Sequence, residues 1–274
     1  MPGNLFLGVF VLNKPGMTLE TIRIVLVRPA GAANVGAVAR AMKNMGLRDL
    51  VVVRPRFRGR FWMRAMAVHA HDILERMRVV SELEEAVGDC GLVIGTSCRS
   101  GLYRAPTGTA RELAPEIVGA AQTNTVAIVF GPEDHGLSNE DLKVCHRLVT
   151  IPASPAYPSL NLAQAVMIVC YEVFVAAQQG LVLPVPRLAR AEDVEFMFQR
   201  LREALLRIGY AHAQNPDHIL FAFRRFLGRA GLEERDVKIL LGLARQIEWY
   251  GDGGWRVIEE KQSRQRAVGS VEKD

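Results

Sequence analysis

The sequence predicts an α/β fold: a mostly parallel sheet with helices on both faces, followed by a small all-helical domain. Between residues 22 and 177 short β-branched runs alternate with helical patterns, as a sheet buried on both faces requires. Beyond Leu183-Pro184-Val185-Pro186 no strand signal recurs, and helical periodicity with dense charge takes over. Size agrees: 274 residues, 49% hydrophobic and 23% charged, suffice for one large core with an appendage and exclude a disordered chain.

The elements follow in order. Residues 1–19 are an N-terminal extension with no clear place in the sheet; the apolar run 5–12 is too short to cross a bilayer and has no basic residue before it. A cytoplasmic protein with no membrane partner is expected. Met17 stands just ahead of the first strand and is an alternative start, which the intact mass of the native protein decides. Residues 20–180 form the sheet domain, with strands expected at 22–27, 50–53, 92–94, 126–130 and 148–151. Residues 181–189 are a proline-marked linker, and 190–274 a helical domain with helices over 194–208, 219–227 and 236–247; its last stretch, from 259, is polar enough to fray.

Composition narrows the chemistry. The 34 Lys and Arg against 29 Asp and Glu leave a formal charge of +5, which tilts toward a polyanionic partner. The 4 cysteines, Cys90, Cys98, Cys145 and Cys170, contain no CxxC pair, so neither a zinc site nor a disulfide framework is expected and they read as reduced core fillers. No residue cluster demands a metal.

The loops at strand carboxyl ends carry the distinctive residues, the place where open α/β sheets hold ligands. After the first strand comes Arg28-Pro29-Ala30-Gly31-Ala32-Ala33, then a helix with Asn34 as its N-cap and Gly46 as its stop. Val35, Val38, Met42 and Met45 form one stripe of that helix; Gly36, Arg40 and Lys43 share the opposite face, where an RNA backbone or another chain could approach the bare glycine. The helix start could bind phosphate, yet its glycines match neither GxGxxG nor GxxxxGK[ST], which removes the main support for a dinucleotide or Walker site. A second loop, Gly131-Pro132-Glu133-Asp134-His135-Gly136-Leu137-Ser138, is a stiff turn in which Ser138 and Asp141 form a capping pattern. His135 has no second histidine at ligand spacing and reads as a loop residue. The third, from Ile151 through Pro152, Pro155 and Pro158 to Ser159, Leu160 and Asn161, has a backbone stiffened by prolines and leads into a helix apolar almost all round, which must be buried in the fold or in a subunit interface. On the plain structural reading Ser159 caps that helix. A fourth loop is Gly95-Thr96-Ser97-Cys98-Arg99.

In this order and spacing, N-x-G-x-x-x-R, G-P-E-x-x-G-L and P-S-L-N-L-x-Q-A resemble the three motifs of the SpoU/TrmH family of the SPOUT superfamily. Ala39 to Leu47, Gly95 to Arg99 and a helical extension containing Asp236 to Leu243 narrow the resemblance to the TrmJ-type tRNA 2′-O-methyltransferases. The resemblance implies a trefoil knot at the C-terminal end of the sheet, a homodimer, S-adenosylmethionine as methyl donor and tRNA, not DNA, as partner. Carried over residue by residue, the cofactor site is Thr96, Ser97, Cys98, Gly131, Ile151, Pro158, Ser159 and Leu160, with many main-chain contacts. The catalytic set is Arg40 with Asn34, Glu133, Ser159 and Asn161, and the RNA contacts are Arg40, Lys43, Arg99 and Arg104.

The implied activity is methylation of the 2′-hydroxyl of an anticodon-loop pyrimidine, at nucleotide 32. A guanidinium stays charged at neutral pH, so Arg40 is expected to bind the ribose and its phosphate, and either to take the proton with that phosphate's help or to stabilise the emerging alkoxide. Asn34 and Asn161 orient the loops, and Glu133 fixes backbone amides or Arg40. Two other readings stay open: a ribosomal RNA 2′-O-methyltransferase, and a noncatalytic RNA-binding protein of the same fold.

Overall fold

The computed structural model describes residues 19–98, 106–211, 214 and 216–256. The alternative start at Met17, the expected phosphate ligands Arg99 and Arg104, and the polar stretch from 259 lie outside the described residues.

Seven parallel strands form one sheet: β1 (Ile22–Val27), β2 (Asp49–Val53), β3 (Arg78–Val80), β4 (Leu92–Thr96), β5 (Gly108–Thr109), β6 (Val126–Phe130) and β7 (Arg147–Thr150), in the order β3-β2-β1-β6-β4-β7-β5. The central strands are β-branched and buried on both faces. Ile22, Ile24 and Leu26 of β1 point to one side, Val25 and Val27 to the other, so each face nucleates a separate core. On the first face lie α1 (Ala32–Asn44), α2 (Phe61–Met66), α3 (His71–Arg76), α5 (Ala110–Ala120) and α7 (Leu162–Gln178); on the second, α4 (Leu83–Val87) and α6 (Asn139–Lys143).

The five strands expected from β-branched runs are present, each within two residues of its expected ends. The two edge strands were not expected. Arg78 and Val79 of β3 are exposed, and β5 is only 2 residues long, so neither has the continuous apolar run that betrays a buried strand. Helix α7 buries Leu162, Val166, Val169, Cys170, Val173 and Ala176 against the sheet and α5, while Tyr171 is exposed. Cys90 and Cys170 are core residues whose thiols burial pushes up to about 12, Cys145 is largely buried, and Cys98 alone of the four is exposed.

Residues 181–189 run along the first-face helices: Leu183 N–H donates to the Pro115 carbonyl at 3.1 Å, and Asn124 is bonded to Pro186 and Leu188. Then come α8 (Ala191–Arg207), α9 (Pro216–Ala230) and α10 (Glu234–Trp249), which enclose two small apolar clusters of their own. Polar bonds join them to the sheet: Lys143 to Asp217 at 2.9 Å, Arg224 to the Lys143 carbonyl at 3.2 Å, and Arg147 to the Gly228 carbonyl. No helix among the described residues is long and apolar enough to cross a membrane, and no group of His, Cys, Asp or Glu among them is placed to hold a metal ion.

Candidate functional site

The strand order decides where the site forms. β1, β6, β4 and β7 are consecutive neighbours, so the loops leaving their carboxyl ends meet along one edge although they are far apart in the chain. There Thr96, Ser97, Cys98, Gly131, Ile151, Pro158, Ser159 and Leu160 line a single cavity of about 360 Å³ together with Phe130, Leu137, Leu162 and Ala165. The structure thus brings together all eight residues expected to hold a cofactor. Its wall joins apolar side chains to the turn Pro132-Glu133-Asp134-His135-Gly136, a lining that offers both an apolar face and polar groups to a ligand. The turn that closes it tolerates no side chain at Gly131, where a Cβ would lie 2.2 Å from the backbone of Gly136 and of Leu137.

In the wall of the cavity, Glu133 ties the second loop to the first. Its carboxylate accepts from the N–H of Ala30 at 2.8 Å and of Gly31 at 3.2 Å, and from the Asn34 side-chain amide at 2.7 Å. Partial burial pushes this carboxyl up, but the bonds from Ala30, Asn34 and Gly31 outweigh it and hold Glu133 below its ordinary value. The Asn34 oxygen accepts in turn from the Asn161 amide at 3.1 Å, and the Asn161 oxygen caps α7 through the N–H groups of Ala163 and Gln164. Three loops are therefore joined in one polar chain, Glu133 to Asn34 to Asn161.

This geometry corrects two local expectations. Asn34 does not cap α1: the helix starts at Ala32 with Gly31 as N-cap, and the Asn34 side chain is already held by Glu133 and Asn161. Ser159 does not cap α7 either; Asn161 does. Glu133 fixes backbone amides as expected, and Arg40 is not among its partners. The Ser138–Asp141 capping box is present, and Arg28 pairs with the buried Asp141.

Arg40 sits apart from the eight-residue cavity. It is exposed in a shallow depression between α1 and α7, lined by Ala37, Ala41, Met66, Leu160, Ala163 and Met167, and its guanidinium has no hydrogen-bond or ion-pair partner among the described residues. Leu160 belongs to both walls, so the two hollows adjoin. The rest of that helix face differs from expectation. Gly36 is buried, and a Cβ there would lie 2.1 Å from the Met63 carbonyl, so α2 rather than a ligand makes the close approach. Lys43 is engaged with Asp72 at 2.7 Å.

A larger cleft of about 800 Å³ separates α6 from α8 and α9. Most of its charges are paired with one another, Arg28 with Asp141, Arg54 with Glu82, Lys143 with Asp217 and Arg224 with Glu195, so it has the character of a seam between packed elements.

One stretch near the site escaped the sequence reading. Arg54-Pro55-Arg56-Phe57-Arg58-Gly59-Arg60-Phe61-Trp62-Met63-Arg64 holds 5 arginines and 3 aromatics in 11 residues with no acid. Basic residues interleaved with aromatics were the available signal.

Comparison with known proteins agrees with this architecture. The profile of the SpoU rRNA Methylase family matches residues 21–171, and that of the C-terminal domain of the tRNA methyltransferase TrmJ matches residues 192–265. The chain is 38% identical over 242 residues to tRNA (cytidine/uridine-2′-O-)-methyltransferase TrmJ of Klebsiella pneumoniae, covering 86% of this chain and 99% of the relative. It is 38% identical to the protein of the same name from Escherichia coli K12, covering 86% and 98%. The crystal structure of TrmJ from Z. mobilis ZM4 superposes with a TM-score of 0.71 at 32% identity, covering 82% of this chain and 98% of that one. A putative methylase family protein from Neisseria gonorrhoeae gives a TM-score of 0.63 at 36% identity, covering 68% and 97%. With the motif loops gathered at one sheet edge and relatives matched over nearly their whole length, the chain belongs to the SpoU methylase family and, within it, to the TrmJ-type methyltransferases.

Proposed function

We propose that this chain transfers a methyl group from S-adenosylmethionine to the 2′-hydroxyl of a pyrimidine ribose in the anticodon loop of tRNA, at nucleotide 32, acting in the cytoplasm as a homodimer with the knotted fold of its superfamily. The observation that carries the reading is the adjacency of two hollows: a cavity walled by the eight family cofactor positions, and the Arg40 depression that shares Leu160 with it. The names of the TrmJ relatives supply the substrate class.

The residues fit the cofactor. The apolar side chains of Phe130, Ile151, Leu160 and Leu162 suit a purine, and the tight turn at Gly131 leaves its backbone as the wall. When bound there, S-adenosylmethionine supplies an electrophilic methyl group. This chain's own residues then have two tasks. Glu133, Asn34 and Asn161 hold the three loops in register, which lowers the cost of ordering them around the reactants. Arg40, exposed beside the cavity and without a side-chain partner among the described residues, binds the ribose and its phosphate, and either takes the 2′-hydroxyl proton with that phosphate's help or stabilises the charge on the 2′-oxygen as that proton passes to water. Ser159, in the cavity wall, orients the ribose, and Lys43, with Arg99 and Arg104 outside the described residues, is assigned to phosphate contact. Lys43 must release Asp72 to do so.

The test is incubation with labelled S-adenosylmethionine and separate unmodified tRNA and ribosomal RNA transcripts, followed by mapping of the modified ribose. Label at one anticodon-loop ribose supports the proposal. Label confined to ribosomal RNA assigns the other substrate, and cofactor binding without transfer to any RNA assigns a noncatalytic role.

A further inference from the structure

The arginine-aromatic stretch divides into an anchored half and a free half. Arg54 is paired with Glu82, and Arg56 is fixed at three points: its N–H donates to the Pro29 carbonyl at 2.9 Å, and its guanidinium to the Arg28 carbonyl at 3.0 Å and to Asp134 at 2.8 Å. Phe57 packs against the core. These contacts bolt the base of the loop to the same two loops that Glu133 joins. Beyond them Arg58, Gly59 and Arg60 are exposed, and the guanidinium groups of Arg58, Arg60 and Arg64 have no hydrogen-bond or ion-pair partner among the described residues. Next to them, Phe61 is 75% and Trp62 61% exposed, with ring centroids 5.2 Å apart at 80°.

Large aromatic rings left this far in water on a short helix are not a folding device, since the core contact of α2 is made by Met63. Two exposed rings whose chain neighbours are three guanidinium groups without a partner among the described residues, in a stretch that contains no acid, match an unpaired polyanion that carries flat bases. The position agrees: Met66 at the end of α2 lines the Arg40 depression. We propose that Phe61 and Trp62 are a stacking platform for unpaired nucleotides flanking the methylated one, with Arg58, Arg60 and Arg64 holding the adjoining phosphates. The platform deepens the RNA-methyltransferase reading by assigning single-stranded loop RNA, rather than duplex, to the surface beside Arg40.

The experiment compares the full chain with Phe61→Ala/Trp62→Ala and, separately, with Arg58→Ser/Arg60→Ser. It uses a hairpin RNA with a seven-nucleotide loop (about the length that exposes several bases) and a blunt duplex of equal charge, and records oligomeric state by sedimentation. The aromatic variant should lose about tenfold or more in hairpin affinity and keep duplex affinity within about twofold. The arginine variant should lower the salt slope of hairpin binding by roughly 0.7 per lost phosphate contact. Trp62→Phe, which keeps a ring, should retain most of the affinity. Unchanged hairpin affinity, or equal loss on hairpin and duplex, overturns the platform, as does conversion of the aromatic variant to a different oligomeric state, which would assign this face to a contact between copies. Binding is read without turnover, so absence of methyl transfer by the parent protein counts against the reaction and not against the platform.

Discussion

The Asn34 amide nitrogen lies 2.7 Å from a Glu133 carboxylate oxygen, a bond between residues 99 apart in the chain that joins the first motif to the second. The same carboxylate also accepts two backbone N–H groups, so one acidic side chain sets the path of the chain from Ala30 to Asn34. Replacing it with the neutral isostere removes the charge that makes these bonds strong. Glu133→Gln is expected to cost about 2 kcal/mol by denaturant unfolding and at least about tenfold in methyl transfer. Because the folded carboxyl is held below 4.5, its contribution is fully present above that value and is lost as pH falls through the folded pKa. The parent protein should therefore lose more stability than Glu133→Gln as the solution is acidified below 4.5.

Arg40 stands outside the eight-residue cavity and should affect RNA engagement and turnover while leaving cofactor affinity intact. Arg40→Ala is expected to leave S-adenosylmethionine affinity within about threefold by calorimetry and to lower single-turnover methyl transfer by about a hundredfold or more. Equal losses in both would remove Arg40 from the chemical step.

Arg28 combines two costs in one residue. Its φ is 48°, a left-handed backbone that side chains disfavour, and it is the ion-pair partner of Asp141, whose side chain is only 6% exposed. Arg28→Ala should destabilise the fold by about 2 kcal/mol because the buried carboxylate loses its cation while the strain remains. Arg28→Gly should be less destabilised than Arg28→Ala, since glycine adopts that φ freely. Chemical unfolding of the pair decides it, and the reverse order would show that the backbone there relaxes.

Gly36 is the point where α2 rests on α1. With the Met63 carbonyl 2.1 Å from the position of a Cβ, Gly36→Ala must push the two helices apart. A loss of about 1–3 kcal/mol is expected, together with weaker hairpin binding as the ring-bearing helix shifts.

His146 is half-buried beside Gly228 of α9, accepting the Val93 N–H on Nδ1 at 3.2 Å. Burial, with Arg147 and Arg224 adding to it, lowers its pKa to about 4 from the ordinary 6.5. Between these values the unfolded chain binds the proton and the folded one does not, so stability falls as pH drops from 6.5 toward 4 and levels below it, by about 3 kcal/mol at most. In His146→Gln that portion of the acid sensitivity should be absent from the unfolding curve.

The fold was legible where burial is two-sided. Runs such as Val126-Ala127-Ile128-Val129-Phe130 admit little but a central strand, whereas β5 and the exposed β3 leave no apolar signature to read. The site was legible as a set of positions and less so as a set of bonds. Asn34 looked like a helix cap because the chemistry that caps a helix is the chemistry that joins two loops, and only the loop from a distant strand decides between them. Gly36 looked open to a ligand for a similar reason: a bare glycine face invites any backbone, and here the one that arrives belongs to the same chain. The arginine-aromatic interleaving of residues 54–64 was readable in the sequence, but the outward direction of the Phe61 and Trp62 rings was not, since a short helix can turn such rings either way.

The strand order also dictates when this protein becomes competent during synthesis. β6 is inserted between β1 and β4, both made earlier, and the bond from Asn161 to Asn34 awaits the segment that follows β7. A nascent chain that stops short of Asn161 can pair strands and bury apolar surface, yet has only part of the wall of either hollow. Contacts of such long sequence separation form late and slowly. Both hollows are therefore completed together, near the end of translation of the sheet domain, when residues 158–168 supply their last wall.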